Sequence, residues 1–201
     1  MNADLADVGV ASRTLPGQTQ SGDAHVVAPF PDGLLVAVID GLGHGLDAAT
    51  ASKAAVDSIV PCARETVISV VKRCHESLHV TRGAVMSLAS FNAIGNTMTW
   101  LSIGNVDGCL VRADARIREK SYVLMRGGVV GHSLPPLRAD VIVVNSGDTL
   151  VMATDGIRSG FVNELDPKDP PQKIADNIIA RFARGTDDAL VVVVRWLGGR
   201  R

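Results

Sequence analysis

An apolar run of strand length ends in an aspartate and a glycine-rich turn, and this stretch limits what the chain can fold into. Residues 34–39 are all apolar, and they are followed by Asp40 and by three alternating glycines, Gly41, Gly43 and Gly45. Such a run is typical of a strand that is covered on both faces. The carboxylate of Asp40 must then emerge at an edge or in a cleft, where its charge can be hydrated or paired.

Two interpretations of the glycine-rich turn compete. A dinucleotide-binding cradle also lies between a strand and a helix, but its glycines follow the pattern G-x-G-x-x-G, and here the third glycine comes one residue early. Asp40 would also place a negative charge beside the pyrophosphate. We therefore favour the alternative, in which Asp40 is a metal ligand and the glycines allow a backbone carbonyl and a bound phosphate to come close.

Length and charge restrict the class of protein. With 201 residues, of which 46% are hydrophobic, the chain is expected to form one domain over residues 1–201. It carries 20 lysines and arginines against 21 aspartates and glutamates, a net charge of -1. This balance gives no electrostatic reason to expect binding to nucleic acid or to an anionic membrane.

Cysteine usage and the N-terminal residues bear on location. The three cysteines, Cys62, Cys74 and Cys109, are an odd number without C-x-x-C spacing, which favours a reducing compartment over a disulfide framework or a zinc site. The first residues lack the basic and apolar segments of a signal peptide, and no apolar run of 18 residues occurs. We expect a cytoplasmic protein.

The hydrophobic periodicity predicts an alternation of strands and helices that is not a repeating βαβ pattern. Strands are predicted over residues 7–14, 23–28 and 34–39, and helices over residues 46–60 and 64–79. An antiparallel meander is then expected over residues 83–114, and short strands over 116–125, 139–145 and 148–153. A helix over 171–183 and a strand over 189–197 complete the order. This order favours an α+β layered sandwich over a doubly wound parallel sheet.

Further aspartates lie at strand boundaries beside turn residues, as Asp40 does. They are Asp23, Asp155 and the adjacent pair Asp187 and Asp188. Taken singly, each is an ordinary turn or cap aspartate. If they converge to about 4 Å, each pair repels by roughly 4 kcal/mol at an effective dielectric of 20. Divalent cations would relieve this repulsion, and an all-oxygen donor set favours magnesium or manganese over zinc.

Two such cations about 3.5–4 Å apart are suited to phosphoester hydrolysis, because they activate water and hold the phosphoryl group. The sequence offers no rival covalent nucleophile, since it has no G-x-S-x-G motif and no cysteine in a basic or glycine-rich setting.

Six short motifs together resemble one known family. They are SGD at 21–23, DGLGHG at 40–45, TRGA at 81–84, SIGN at 102–105, TDG at 154–156 and TDD at 186–188. Their order is similar to that of the metal-dependent protein phosphatases of type 2C, and most similar to the bacterial SpoIIE-like branch with its short single-domain stressosome phosphatases. The resemblance covers essentially the whole chain.

The resemblance implies a fold and a set of metal ligands. The fold is an αββα sandwich, in which two antiparallel sheets are flanked by helices and a cleft at one edge holds two divalent cations, Mn2+ or Mg2+. Asp40 and Asp23 would be the catalytic carboxylates: Asp40 would bridge both cations, with the Gly41 carbonyl on one of them and Asp23 supporting that side. Asp155 and Asp187 would hold the other cation. Asp188 would be a neighbour that supports the ligands or, alternatively, a hydrated turn residue.

Some positions depart from the family pattern. Leu42 stands where related eukaryotic enzymes have a histidine proposed as general acid, and nearby His44 is either a proton donor or a solvated loop residue. Arg13 is only a distant candidate for the arginine that grips phosphate. Leu190 replaces a usual threonine or serine. Asn105 either orients the cleft loop or is a hairpin turn residue.

The resemblance also implies a substrate. We expect a phosphoserine/phosphothreonine protein phosphatase that acts on phosphorylated STAS-domain proteins, the scaffold or antagonist proteins of a bacterial stress-signalling complex, the stressosome. One alternative is a catalytically silent docking module of the same fold, which the retained aspartates disfavour. Another is a phosphatase for small phosphoesters, which predicts a deep closed pocket where a protein phosphatase predicts an open, shallow cleft.

Overall fold

Runs of β-branched and apolar residues form two sheets at the centre of the molecule. The computed structural model describes residues 5–114, 116 and 120–199. The strands in these residues are β1 (Ala6–Arg13), β2 (Asp23–Phe30), β3 (Gly33–Gly41), β4 (Ala84–Asn92), β5 (Thr97–Ile103), β6 (Asp107–Val111), β7 (Ser121–Tyr122), β8 (Met125–Arg126), β9 (Asp140–Val143), β10 (Thr149–Ala153) and β11 (Ala189–Trp196). The helices are α1 (Leu46–Ile59), α2 (Val67–Leu78) and α3 (Pro171–Phe182), with 3-10 turns at Val60–Cys62 and Phe161–Glu164.

Each sheet joins strands from distant parts of the chain. One sheet has the strand order β1-β11-β10-β6-β7, so that the first and last strands are neighbours. The other has the order β2-β3-β4-β5-β8, with β9 also paired to β5. All pairs are antiparallel except β5 with β8. Two predominantly antiparallel sheets are therefore present, as expected.

Alternating side chains along the strands separate three layers of core. Between the sheets, one face of β3 packs against β10 and β11 through Leu34, Val36, Val38, Leu150, Met152, Val192 and Val194. The other face of β3 packs against α1 and α2 through Leu35, Ala37, Ile39, Ile59 and Val70. The outer face of the sheet that contains β10 and β11 packs against α3 through Val151, Val191, Val193, Ile174 and Ile178. This arrangement confirms the expected αββα sandwich.

Local signals fix the helix ends. The predicted break at Pro61 is confirmed, because α1 ends at Ile59 and a 3-10 turn follows. Thr66 caps α2 by accepting a hydrogen bond from the backbone N–H of Ser69 at 3.2 Å. Pro171 occupies the first turn of α3, where its missing N–H costs nothing. None of the helices in the described residues is long and apolar enough to cross a membrane.

Two predictions about the middle of the chain are wrong. The expected meander stops after β5, because β6 leaves the sheet and pairs with β10 in the other one. Gly104, at φ 86°, provides the turn that redirects the chain between the sheets. The single strand expected over residues 116–125 is replaced by β7 and β8, which belong to different sheets; residues 117–119 of that prediction lie outside the described residues.

Gly9 lies where α3 begins against β1. A Cβ atom on Gly9 would lie 2.2 Å from the backbone nitrogen of Gln172 and 2.2 Å from the backbone carbon of Pro171. The side chain of Gln172 also bonds both backbone groups of Val10, at 3.0 and 2.8 Å. This contact holds the helix close to the strand that pairs with the end of the chain.

The substitution Gly9→Ala is expected to lower the free energy of unfolding by about 1–3 kcal/mol, because backbone on both sides must shift. Gly127→Ala is a matched control, since nothing lies within 4 Å of its added Cβ, and its expected change is within about 0.5 kcal/mol. Denaturant unfolding of both variants measures the difference. Equal stability of the two would contradict the close approach at Gly9.

Candidate metal centre

The ends of both sheets meet at an open cleft. Its lining combines acidic residues with residues of the glycine-rich turn and of neighbouring loops: Asp40, Leu42, Gly43, His44, Val85, Asn105, Val129, Asp155 and Asp187. Asp155, Asn105 and His44 are exposed, so the cleft is not a closed cavity. Asp40 and Asp155 thus line the same cleft, although more than a hundred positions separate them in the sequence.

The register of one sheet brings Asp23 and Asp40 together. β2 and β3 are antiparallel, and Asp23 pairs directly with Asp40 at the end of the ladder. The N–H of Gly41 extends the pairing by donating to the carbonyl of Gly22 at 3.0 Å. Directly opposite residues project to the same face of a sheet, with Cβ atoms about 5 Å apart. Asp40 lies on the same face of β3 as Val36 and Val38, which pack between the two sheets. The carboxylates of Asp40 and of Asp23, directly opposite it, therefore point into the space between the sheets.

The second sheet contributes Asp155 and Asp187. Asp155 follows the end of β10, and Asp187 lies two residues before β11, the neighbouring strand. Asn105 donates from Nδ2 to Oδ2 of Asp155 at 2.6 Å, a contact with the carboxylate that the sequence did not predict. Arg184 donates from Nε to the backbone carbonyl of Asp155 at 2.9 Å and holds the turn from outside.

Asp188 does not line the cleft, and it supports the loop before β2. One of its carboxylate oxygens accepts from the N–H of Leu15 at 2.8 Å, and the other accepts from the N–H of Gly22 at 2.7 Å. Its exposure is 3%, which excludes the alternative of a hydrated turn residue. Asp188 thus fastens residues 15–22 against the last strand, directly beside Asp23.

Thr154 is a functional residue that sequence reasoning missed. Its hydroxyl donates to Oδ2 of Asp23 at 2.8 Å and accepts from the N–H of Leu190 at 2.9 Å. The signal was available in the alternation of β10, since Leu150 and Met152 face the other sheet and Thr154 continues the same face. Thr154 therefore links the Asp23 carboxylate to the opposite sheet.

The glycines of the turn let α1 approach the cleft. A Cβ on Gly41 would lie 2.2 Å from the carbonyl oxygen of Ala48, so only glycine allows the first turn of α1 to pack there. Gly43 and Gly45 have φ of 88° and 74°, a region that other residues avoid. The Gly41 carbonyl oxygen lies 3.4 Å from the Cβ position of Gly22, and Oδ2 of Asp188 lies 3.3 Å from the same position.

Two other residues singled out from the sequence have different positions. His44 is exposed at the rim of the cleft, and its role as a proton donor stays a prediction. Arg13 is exposed at the end of β1 and does not line the cleft.

Burial and mutual repulsion disfavour the charged forms of these carboxylates. Burial raises the pKa of Asp23 to about 7, although the hydrogen bond from Thr154 opposes this shift. Burial, with repulsion from Asp23 and Asp155, raises the pKa of Asp40 to about 8. The pKa of Asp155 is raised by partial burial and by Asp187, against the influence of Arg184 and Asn105.

The donor set fits divalent cations bound through oxygen. Asp23, Asp40 and Asp155 supply carboxylates whose ionised forms need a compensating charge, and Asp187 adds a further carboxylate to the lining of the cleft. Among the described residues, no three His, Cys, Asp or Glu side chains are placed to hold one ion by themselves. Backbone carbonyls such as that of Gly41, and water, would complete the coordination, as is usual for magnesium.

Comparison with known proteins assigns the family. The family model described as Stage II sporulation protein E (SpoIIE) matches residues 31–197, which include β3 to β11 and the lining of the cleft but not Asp23. The chain belongs to the SpoIIE family. It is therefore a phosphatase domain of the type-2C kind, as the six motifs implied, and divalent metals are the cofactors of this class.

Named relatives of the SpoIIE-family domain include a phosphoserine phosphatase. RsbX of Bacillus subtilis (strain 168) is 28% identical over 181 residues, which cover 90% of this chain and 89% of that protein. A solved structure of RsbX in complex with magnesium has a TM-score of 0.85 at 24% identity and covers 95% of each chain. A chain from a structural study of the bacterial stressosome has a TM-score of 0.87 at 25% identity, covering 96% of this chain and 100% of that one.

The substitution Thr154→Val is expected to weaken Mn2+ binding about 10–100-fold, because Asp23 loses the hydroxyl that orients and stabilises its carboxylate. Thr154→Ser keeps the hydroxyl and should retain most of the affinity. Calorimetric titration with Mn2+ measures both variants. If Thr154→Val binds Mn2+ as tightly as the wild-type protein, Thr154 does not support the metal ligands.

The stability of the metal-free protein is expected to fall as the pH rises from about 5 to about 8. The folded state holds protons on Asp23 and Asp40 up to pKa values of about 7 and 8, whereas the unfolded chain releases them near 3.8, so folding is progressively opposed over this window. Added Mn2+ should stabilise more at about pH 8 than at about pH 5, because protons compete for the ligands.

Thermal unfolding in chelator and in Mn2+ across this pH range measures both effects. Asp40→Asn is the control, because it removes one titrating carboxylate and should flatten the metal-free dependence. A wild-type melting temperature that rises towards pH 8 without metal would contradict the raised pKa values.

Proposed function

We propose that this chain is a phosphoserine/phosphothreonine protein phosphatase that uses two divalent cations, Mn2+ or Mg2+. The observation that carries the proposal is the convergence of Asp23 and Asp40 from one sheet with Asp155 and Asp187 from the other at one cleft. Carboxylates in mutual repulsion beside an open surface are suited to a pair of hard cations and a phosphoester.

The residues of the chain have distinct roles in this proposal. Asp40 would contact both cations and Asp23 would support the same side with the Gly41 carbonyl, while Asp155 and Asp187 would hold the second cation. Bound cations would supply Lewis-acid activation of water and of the phosphoryl group. Thr154 and Asn105 keep the Asp23 and Asp155 carboxylates oriented. We propose that His44, which is exposed at the rim of the cleft, would protonate the leaving oxygen.

The shape of the cleft favours a protein substrate over a small phosphoester. Asp155 and Asn105 are exposed, so solvent reaches the cleft from the side of these two residues. A small phosphoester is usually enclosed by its site, whereas a phosphorylated side chain on a protein surface needs open access. The alternative of a phosphatase for small phosphoesters is therefore not favoured.

The specific partners we propose are phosphorylated STAS-domain proteins of a stressosome. Support comes from the similarity to the phosphoserine phosphatase RsbX over 90% of this chain, and from the likeness to a chain of a stressosome study. The alternative of a silent docking module gains no support from the site, because a pure docking protein would gain nothing from four repelling carboxylates.

Two further expectations belong with this proposal. We propose that residues 1–201 act as one phosphatase domain, since the described strands from both ends of the chain share a sheet. We also propose that the reaction takes place in the cytoplasm, where the free thiols of Cys62, Cys74 and Cys109 would stay reduced.

The substitution Asp40→Asn is expected to lower Mn2+-dependent hydrolysis of p-nitrophenyl phosphate by at least about 100-fold, because it removes the carboxylate proposed to contact both cations. Asp57→Asn is the matched control, since Asp57 is exposed on α1 and pairs only with Lys53 in the described structure. Phosphate release with and without Mn2+ measures the effect. If the wild-type protein shows no metal-dependent turnover, the proposed phosphatase function is refuted.

The partner is tested by comparing substrates at equal concentration. Wild-type protein with Mn2+ should release phosphate from a phosphorylated STAS-domain protein faster than from free phosphoserine. The reverse preference would favour the small-phosphoester alternative.

A further inference from the structure

The described lining of the cleft offers no lysine or arginine side chain to bind the substrate. Three of the residues that line the cleft are aspartates. A phosphomonoester approaches as an anion, and proteins commonly hold such a group with the paired N–H groups of an arginine. A guanidinium group at the rim of the cleft would supply such N–H donors.

The β3–β4 ladder places Arg82 opposite the glycine-rich turn. Asp40 pairs with Val85 and Gly41 with Ala84, and the N–H of Leu42 donates to the carbonyl of Gly83 at 3.0 Å. The next position in this register sets Arg82 opposite Gly43, which lines the cleft. The Nη1 atom of Arg82 lies 3.0 Å from the position that a Cβ on Gly43 would occupy.

The backbone on both sides of Arg82 is held in place. The Thr81 hydroxyl donates to the carbonyl of Leu78 at 2.8 Å and accepts from the N–H of Gly83 at 3.0 Å. Nε2 of His132 donates to the Thr81 carbonyl at 3.1 Å, because a carbonyl oxygen can only accept. The guanidinium group is therefore presented from a fixed point at the rim.

Arg82 has a partner that a substrate can replace. Its Nη2 atom lies 2.6 Å from Oδ2 of Asp47, in the first turn of α1. Both side chains are more than half exposed, at 53% and 62%. An ion pair in that setting contributes little net stability, and its geometry is readily exchanged.

We propose that Arg82 binds the phosphate group of the substrate, leaving Asp47 when the phosphoester enters the cleft. This inference rests on the proposed phosphatase function and adds a substrate-binding residue to it. The guanidinium group would offer two parallel N–H donors to phosphate oxygens beside Gly43 and His44. Arg184, on the opposite side, is engaged with the backbone of Asp155 and serves to hold that loop.

The test compares Arg82→Gln with Asp47→Asn. Both variants remove the same ion pair with side chains of similar size, but only the first removes the guanidinium group. Calorimetric titration of inorganic phosphate into Mn2+-loaded protein should show about tenfold or greater weakening in Arg82→Gln and a change within about twofold in Asp47→Asn. The KM for p-nitrophenyl phosphate should follow the same order, and Mn2+ affinity should stay unchanged in both.

Arg82→Lys keeps the charge but loses the paired donors, so it should bind phosphate less tightly than wild type even if the glutamine variant does not fold. Wild-type phosphate affinity in Arg82→Lys and Arg82→Gln would overturn the inference. Equal losses in Asp47→Asn and Arg82→Gln, or a matching loss of Mn2+ affinity, would assign Arg82 a structural role and also overturn it. If either of these results is obtained with an active wild-type enzyme, the proposed phosphatase function still holds. If the wild-type protein shows no metal-dependent turnover, the phosphatase function itself is refuted.

Discussion

Repulsion among carboxylates at the end of two packed sheets is the constraint on which the cleft depends. Asp23 and Asp40 are forced together by backbone pairing, so neither can move away without breaking the ladder. The fold holds this unfavourable arrangement through the core between the sheets, where buried residues such as Val38 and Val192 pack. Burial and repulsion thus disfavour the charged forms of these carboxylates at a site where cations would stabilise them, and the packed core keeps the carboxylates in place.

Much of the fold was predictable because its signals are local. The run before Asp40 and the break at Pro61 specify strand and helix from neighbouring residues alone. The path of β6 was not predictable in this way, because apolar alternation marks a strand without saying which sheet it joins. The same limit explains the failure over residues 116–125, where the segments of β7 and β8 are only two residues long.

The acidic residues of the site were predictable from their turns, but their supports were not. Thr154 and Asp188 act across 131 and 166 positions of sequence, on Asp23 and on the N–H of Gly22. Both follow from the alternation of β10 and β11 once the sheets are known to face each other. Neither follows from turn composition, which is the signal that identified Asp155.

The pairing of β1 with β11 has a consequence for how the protein is made. The last strand lies between β1 and β10, and Asp188 at its start holds the loop before β2. This sheet can close only once β11 has been synthesised, and contacts of such sequence separation slow folding. The nascent chain therefore has no assembled cleft before β11 has been synthesised, and it cannot present the aspartates of the cleft together before then.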